Sequence, residues 1–456
     1  MNTIHDYQID HLLLLVGSNP VPNAVAGKLL AAPGGTITLI YSKDGFPLAE
    51  RLGKWFQNVD ISLKEVKESE AASVEEKVFE AIEQYERDPA RTNAAHPARV
   101  GLNYTGGTKV MAVHAYRALE QWASKHKRKA VFSYLDARTL QMRFEQVDGW
   151  PAIPISLAVE IDIRDLLTLH GWELRKGSPI KTPVLPKSAA ALLAIHSSET
   201  DAARWTDWLY ESLFRSARKP DPIDPPFWVF QAGNELEGQL EVTQAKFDSK
   251  WKSNTDLRKL SVLWPDPDLP AFREAMSNEL GQHDSDLKLA AARGKGCKDE
   301  QDFCKWLSGT WLESAVLAAL QDCPEELHLT ECCMDLKVKV PDNKAEGTEF
   351  QFDVVAMRGY QLFAFSCTTE SARKRGGREL VKQKLFEAYV RVRQMGGDEA
   401  CVALVCAMEQ EEADKLQEEM RHDISPEGRI RVFGRECLAN LTGYIADWIR
   451  QQSKEG

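Results

Sequence analysis

The stretch Asn103-Tyr104-Thr105-Gly106-Gly107-Thr108-Lys109 constrains this chain more than any other. It follows Arg99 to Leu102, which reads as a buried strand, and it precedes Val110 to Tyr116, which continues as a helix. A strand that breaks at two glycines and opens a helix is a layout for cradling an anion. The glycines let backbone N–H groups approach, and the helix N-terminus carries partial positive charge. Thr105 and Thr108 can add hydroxyl groups, and Lys109 adds a full charge in the first turn. The spacing is neither the G-x-x-x-x-G-K of a Walker A loop nor the G-x-G-x-x-G of a dinucleotide fold. Taken alone, the stretch serves equally as a pocket for a phosphate-bearing ligand or as an ordinary turn capped by Thr108.

Its surroundings favour the pocket. His11 to Val16, Thr36 to Tyr41 and Ile61 to Val66 read as strands. Ala24 to Leu30, Leu48 to Phe56 and Val74 to Tyr85 read as helices, the last with Val78, Ala81, Ile82 and Tyr85 on one face. Ala130 to Leu135 and Leu140 to Phe144 form a hairpin around Asp136-Ala137-Arg138. Alternating strands and helices predict a parallel, Rossmann-like α/β sheet over residues 1–150. Ligands of such sheets sit beyond the carboxyl ends of the strands. Three loops carry suitable groups there: Ser18 and Asn19, Ser42 and Lys43, and Thr105 to Lys109. Turn chemistry and helix capping are the plain alternative for Ser18 and Asn19.

A chain of 456 residues has room for two or three domains. The formal net charge of -11 restricts any nucleic-acid contact to a local groove. With 43% hydrophobic and 27% charged residues, a soluble globular protein is expected. The nine cysteines include no C-x-x-C pair, which suits reduced thiols in a cytoplasm. Leu12 to Val16 is too short for a signal segment or a membrane span. Residues 151–297 hold a possible helix, Ile163 to His170, and a loop marked by Pro179, Pro183 and Pro186. They also hold Trp205, Trp208, Trp228, Trp251 and Trp264, which suit a packed small domain, with stacking on bases as the alternative.

Residues 298–456 follow a recognisable order. Phe303, Trp306, Leu307, Trp311, Leu312, Ala315 and Val316 share one helical stripe, with Glu313 among them. Strands follow at Leu327 to Val340, Phe350 to Met357 and Leu362 to Cys367, then a helix from Arg378 to Gln394 and a strand from Cys401 to Cys406. Helix, three antiparallel strands, helix, strand is the core of the PD-(D/E)XK nuclease fold. Its chemistry needs hard oxygen ligands that hold Mg²⁺ or Mn²⁺ near a scissile phosphate. Asp353, between Phe352 and Val354, is costly in an apolar strand unless it is paired or binds a metal. Glu313 and Asp353 are therefore the expected metal ligands. The third strand should supply E-x-K, yet it supplies Ser366-Cys367-Thr368. Ser366 would line the site, and Glu370, Lys374 or Lys382 would replace the missing groups; otherwise the site is weakened or dead. Arg373 to Arg378, with Lys382 and Lys384, form a basic patch suited to a phosphate backbone or to plain solvation.

Two sets of residues now resemble a known family. The Val-Gly-Ser-Asn-Pro-Val-Pro-Asn loop at Val16 to Asn23 and the Asn-Tyr-Thr-Gly-Gly-Thr-Lys turn resemble a CARF domain, the CRISPR-associated Rossmann-like sensor of cyclic oligoadenylates. The Gly-Thr-Trp-Leu-Glu segment ending at Glu313 and the Phe-Asp-Val-Val strand at Phe352 to Val355 resemble the nuclease half of type III CRISPR ancillary nucleases. The resemblance covers about residues 10–170 and 298–420. It implies a homodimer closing over one symmetric ring, cyclic tetra-adenylate most often, and metal-dependent cleavage of DNA or RNA. It carries ring binding to Ser18, Asn19, Thr105, Gly106, Gly107, Thr108 and Lys109, and metal binding to Glu313 and Asp353. Thr368 departs from the family's third-strand lysine. A ring-binding regulatory protein with a silent nuclease fold is the alternative that this departure keeps open.

Overall fold

The computed structural model describes residues 4–88, 98–145, 151–220, 247–265, 269–341, 348–369, 377–424 and 429–452. The first sheet contains β1 (Ile9–Leu15), β2 (Ala31–Ser42), β3 (Asp60–Val66), β4 (Val100–Asn103), β5 (Ala130–Asp136), β6 (Gln141–Phe144) and β7 (Ala152–Pro154). Their order is β3-β2-β1-β4-β5-β6-β7, with the first five parallel and the last two antiparallel. The direction of winding reverses between β1 and β4, which makes their carboxyl ends the switch point of the sheet.

β1 shows why this sheet forms. Leu12 and Leu14 pack into the layer with α1 (Val21–Leu30) and α2 (Phe46–Trp55). Leu13 and Leu15 pack into the opposite layer with α3 (Ala71–Glu86) and α4 (Lys109–Lys125). Successive strand residues point to opposite faces, so an unbroken leucine run requires cover on both sides. His11, buried in the same run, bonds Thr38 Oγ1 at 2.9 Å and stacks on Tyr85.

The connection onward joins both halves. α5 (Ile163–His170) packs beside the second sheet, and β8 (Glu173–Leu174) becomes its edge strand. Small strands β9 (Arg218–Pro220), β10 (Phe247–Trp251), β11 (Ser261–Leu263) and β12 (Asp286–Lys288) pair off locally. Helices α6 (Pro186–Ser197), α7 (Glu199–Trp208) and α8 (Pro270–Leu280) carry the middle stretch. Trp205, Trp208 and Trp264 share a core with Trp306, Trp311 and the second sheet. These tryptophans therefore pack onto the C-terminal half; Trp228 lies outside the described residues.

The second sheet runs β17-β16-β15-β14-β13-β8. β13 (Leu329–Val340), β14 (Thr348–Arg358) and β15 (Gln361–Thr368) form an antiparallel meander. β16 (Cys401–Cys406) and β17 (Ile430–Phe433) continue parallel to β15. α9 (Trp311–Gln321) covers one face, and α10 (Gly377–Gly396) the other. α11 (Gln410–Asp423) and α12 (Leu441–Gln452) finish the half. The single helix expected from Phe303 to Val316 is broken: a short helix ends at Lys305, a π turn spans Trp306–Thr310, and Gly309 sits at φ 174° before α9 begins. That break places Glu313 in the first turn of α9.

Candidate functional site

Two concave sites stand out. The first, of about 620 Å³, lies at the β1/β4 switch point. Gly17, Ser18 and Asn19 line it from the loop after β1, and Thr105, Gly106 and Gly107 from the loop after β4. Gly107 has φ +74°, and a Cβ on Gly106 would overlap the Leu15 carbonyl. Glycine is thus required twice where the two loops touch. Asn23 Nδ2 donates to Leu15 O at 2.9 Å, and Thr105 Oγ1 accepts from Leu135 N–H at 2.7 Å, which fixes the pocket's floor. Asn19 Oδ1 accepts from Val21 N–H at 3.0 Å.

The other expected ligand residues fall elsewhere. Thr108 caps α4, its side chain accepting from Met111 N–H at 3.2 Å. Lys109 is exposed on that helix, and Ser42, which ends β2, and Lys43, which follows it, do not line the pocket. Sequence reasoning missed Tyr104, Tyr134, Arg138, Asp398 and Glu399, all on the wall. Tyr104 and Tyr134 lie 5.7 Å apart between ring centroids and offer flat aromatic surface. Burial pushes Tyr104 up to about 12, so its hydroxyl stays neutral. Their position at the ends of β4 and β5 was the available signal.

The second site is a cleft of about 1010 Å³ in the C-terminal half. Ladder pairing between β14 and β15 ends at Val354–Phe365. Beyond it, Thr368 and Ser366 pair only with β16, while Phe352 and Phe350 pair only with β13. The two strands splay, and the cleft opens between them. Asp353 and Ser366 face each other at the fork, with Ser366 Oγ 3.3 Å from Asp353 Oδ2. Cys367 N–H donates to the same oxygen at 2.8 Å. Glu313 enters from the kinked start of α9.

Both acids are held above the usual carboxylate range. Burial is the main cause for Glu313, and the negative charges of Asp353 and Asp335 add to it. Burial is likewise the main cause for Asp353, with Asp335 adding; the Cys367 N–H, Lys384 and Ser366 oppose it. Asp335, at φ +54° on β13, was not anticipated. It pairs with Lys337 Nζ at 2.6 Å, and an acid inside Met334-Asp335-Leu336 was its signal.

A lysine does line the cleft, from a position other than the two expected to replace the third-strand lysine. Lys384 lines the cleft from α10, its Nζ 3.4 Å from Thr368 Oγ1. Lys382 turns away, to Glu419 at 3.4 Å and Asp423 at 3.8 Å on α11. Arg378 joins Glu419 and Glu412 there, so this part of the basic patch is matched by acids. Lys374 and Glu370 lie outside the described residues.

Among the described residues no group of three or more His, Cys, Asp or Glu is placed to hold a metal ion. Two carboxylates still fit a hard divalent cation, since Mg²⁺ is commonly held by one or two carboxylates with water and substrate phosphate filling the rest. Both carboxyls are raised chiefly by burial, and for Glu313 the charge of Asp353 adds to it; a cation between them would favour their ionised forms.

Two solved structures superimpose along nearly the whole chain. Protein VC1899 from Vibrio cholerae aligns with a TM-score of 0.63 at 13% identity, covering 98% of this chain and 99% of its own. Can2 from Sulfobacillus thermosulfidooxidans, solved in complex with cyclic tetra-adenylate, aligns with a TM-score of 0.60 at 12% identity over the same shares of both chains. This chain and Can2 share one fold. No family model or curated relative matches the sequence. The expected α/β architecture, a parallel Rossmann-like sheet followed by a C-terminal sheet flanked by helices, is the architecture found.

Proposed function

We propose that this chain is a cyclic oligoadenylate-activated, Mg²⁺- or Mn²⁺-dependent nuclease of type III CRISPR defence, acting on DNA or RNA. The observation that carries the reading is the joining of both sites by one helix. α10 lines the acid cleft with Lys384, Phe386 and Arg391, and the turn that ends it lines the switch-point pocket with Asp398 and Glu399. Can2's bound cyclic tetra-adenylate makes that ring the first ligand to test. A symmetric ring offers the same face to two copies of a pocket, so a homodimer closing over it is the expected active form. Among the described residues no helix is long and apolar enough to cross a membrane, and we place the protein in the cytoplasm.

Glu313 and Asp353 would hold the cation, which supplies charge for the phosphate and acidity for its bound water. Ser366 and the Cys367 N–H keep the Asp353 carboxylate oriented. Lys384 stands where the third-strand lysine would project; its ammonium orients the attacking water and offsets charge gathering on the phosphate. The ring-gated regulator without nuclease activity remains the second reading, motivated by Thr368 in the lysine position.

Cleavage of supercoiled plasmid and of labelled single-stranded DNA and RNA tests this. Each is incubated with Mg²⁺ or Mn²⁺, with and without cyclic tri-, tetra- and hexa-adenylate. Cutting that requires one ring and a metal is expected. Tight ring binding with no cutting under any condition would replace this reading with the regulator.

A further inference from the structure

The C-terminal half completes the switch-point pocket with an acid that has little structural reason to be there. Glu399 is 1% exposed and lines the pocket from the turn Gly397–Glu399. Its Oε2 has no hydrogen-bond partner among the described residues. The paired donors of the nearby cations serve other atoms, while Arg429 Nε, like Glu399 Oε2, is buried with no hydrogen-bond partner among the described residues. Arg429 Nη1 donates to the Glu399 main-chain carbonyl at 3.0 Å, and its Nη2 donates to the carbonyls of Ala137 and Arg138 on the pocket rim. Gln361 Nε2 donates to the same Glu399 carbonyl at 2.9 Å, and Arg393 pairs with Asp398. Gly397, at φ +75°, leaves a notch in which a Cβ would overlap the Asn19 amide nitrogen and lie 2.8 Å from Glu399 Oε2. The carboxyl therefore adjoins the loop after β1, at the wall where ligand would sit. A buried carboxyl oxygen without a partner costs stability, and a ligand is a ready source of the missing bond.

We propose that Glu399 is a ligand-recognition residue of this pocket, supplied by the C-terminal half, and that its carboxyl donates a hydrogen bond to a base of the bound ring. The inference rests on the ring-binding reading of the pocket given above. A neutral carboxyl presents one donor beside one acceptor, the complement of an adenine edge with its amino group beside a ring nitrogen. An ionised carboxylate presents acceptors only and repels the ring's phosphates. Burial holds Glu399 up to about 7 against a backbone N–H bond within its own turn; Asp398 adds to the rise, and Arg429 and Arg393 oppose it. The other charged or titratable groups around the pocket are Tyr104 and Tyr134 on its wall, Asp136 and Arg138 on its rim, and the Cys401 thiol, which bonds the Glu399 carbonyl. A neutral carboxyl is thus populated at neutral pH.

Calorimetric titration of cyclic tetra-adenylate into the full chain, Glu399→Gln and Glu399→Leu, across pH about 6 to 8, tests the assignment. The wild type should bind about tenfold more weakly at the upper end, one unit above the carboxyl's pKa. Glu399→Gln, which keeps donor and acceptor without a titrating proton, should lose that dependence. Glu399→Leu should bind about tenfold more weakly at the acid end, as one lost hydrogen bond requires. Thermal melts confirm that each variant folds, and the near-isosteric Gln variant decides the matter if Leu does not fold. Equal pH profiles for wild type and Glu399→Gln would overturn the role of Glu399 while leaving the pocket reading intact. No ring bound by the wild type at any pH would overturn both.

Discussion

Lys384→Met is the perturbation that bears most directly on the cleft. Lys384 Nζ lies 3.4 Å from Thr368 Oγ1, and its charge lowers both Glu313 and Asp353. Loss of a group that positions and activates the nucleophile costs about 10² to 10⁴ in rate, or roughly 3 to 5 kcal/mol of barrier. The matched control is Lys382→Met. That ammonium already engages Glu419 and Asp423 on an exposed face, where such pairs are worth about 0 to 1 kcal/mol, so the cleavage rate should hold. A rescue follows from the same distance. Thr368→Lys placed in the Lys384→Met background puts an ammonium back at the fork from β15, and much of the rate should return. The acid limb of the pH–rate profile supplies a further check. Lys384 holds both carboxyl pKa values down, so without it they rise and activity should demand a higher pH. Single-turnover cleavage at saturating ring and Mn²⁺, with ring affinity measured alongside, reads all of these. A Lys384→Met enzyme at wild-type rate, or a Lys382→Met enzyme equally impaired, would refute the reasoning.

Three other outcomes are expected. Asp353→Asn should abolish metal-dependent cleavage yet raise the melting temperature at neutral pH: a carboxyl held above its ordinary pKa costs stability once ionised, and the gain should close as pH falls and the wild-type acid takes up its proton. His196 is pushed down to about 4 by burial, so the unfolded chain takes a proton near pH 6.5 that the folded chain refuses until about 4. Stability should fall as pH drops through that window, by up to about 3 kcal/mol from this residue, and urea midpoints of wild type and His196→Gln should converge at acid pH. Thr108→Ala should cost about 1 kcal/mol as a lost helix cap while ring affinity in a binding titration stays near wild type; a collapse of affinity would restore Thr108 to the pocket.

The sheets and the two acids were legible because they leave local marks. The leucine run of β1 demands cover on both faces, and Asp353 is conspicuous between Phe352 and Val354. What the sequence concealed depends on rotation and on distance along the chain. Lys382 and Lys384 are two residues apart, about 200° around a helix, so one faces α11 and the other the cleft; the sheet beneath the helix decides which. Glu399 reaches a pocket built mainly from residues before 140, and no local pattern reports a contact across that separation. Gly309 breaks the helical stripe before Glu313, although the apolar spacing runs through it without interruption.

α10 also sets a phase. Lys384 on one cleft and Asp398 on the other pocket belong to one rigid rod and the turn that ends it, so their angular relation is counted out in residues. Inserting a single residue between them would turn one end by about 100° and lengthen the rod by about 1.5 Å, disengaging the lysine from the fork; four residues would nearly restore the angle while lengthening the rod by about 6 Å. A change of length in a surface loop would leave that relation untouched; if the two sites act together as proposed, this helix is a gear shaft with a fixed number of teeth.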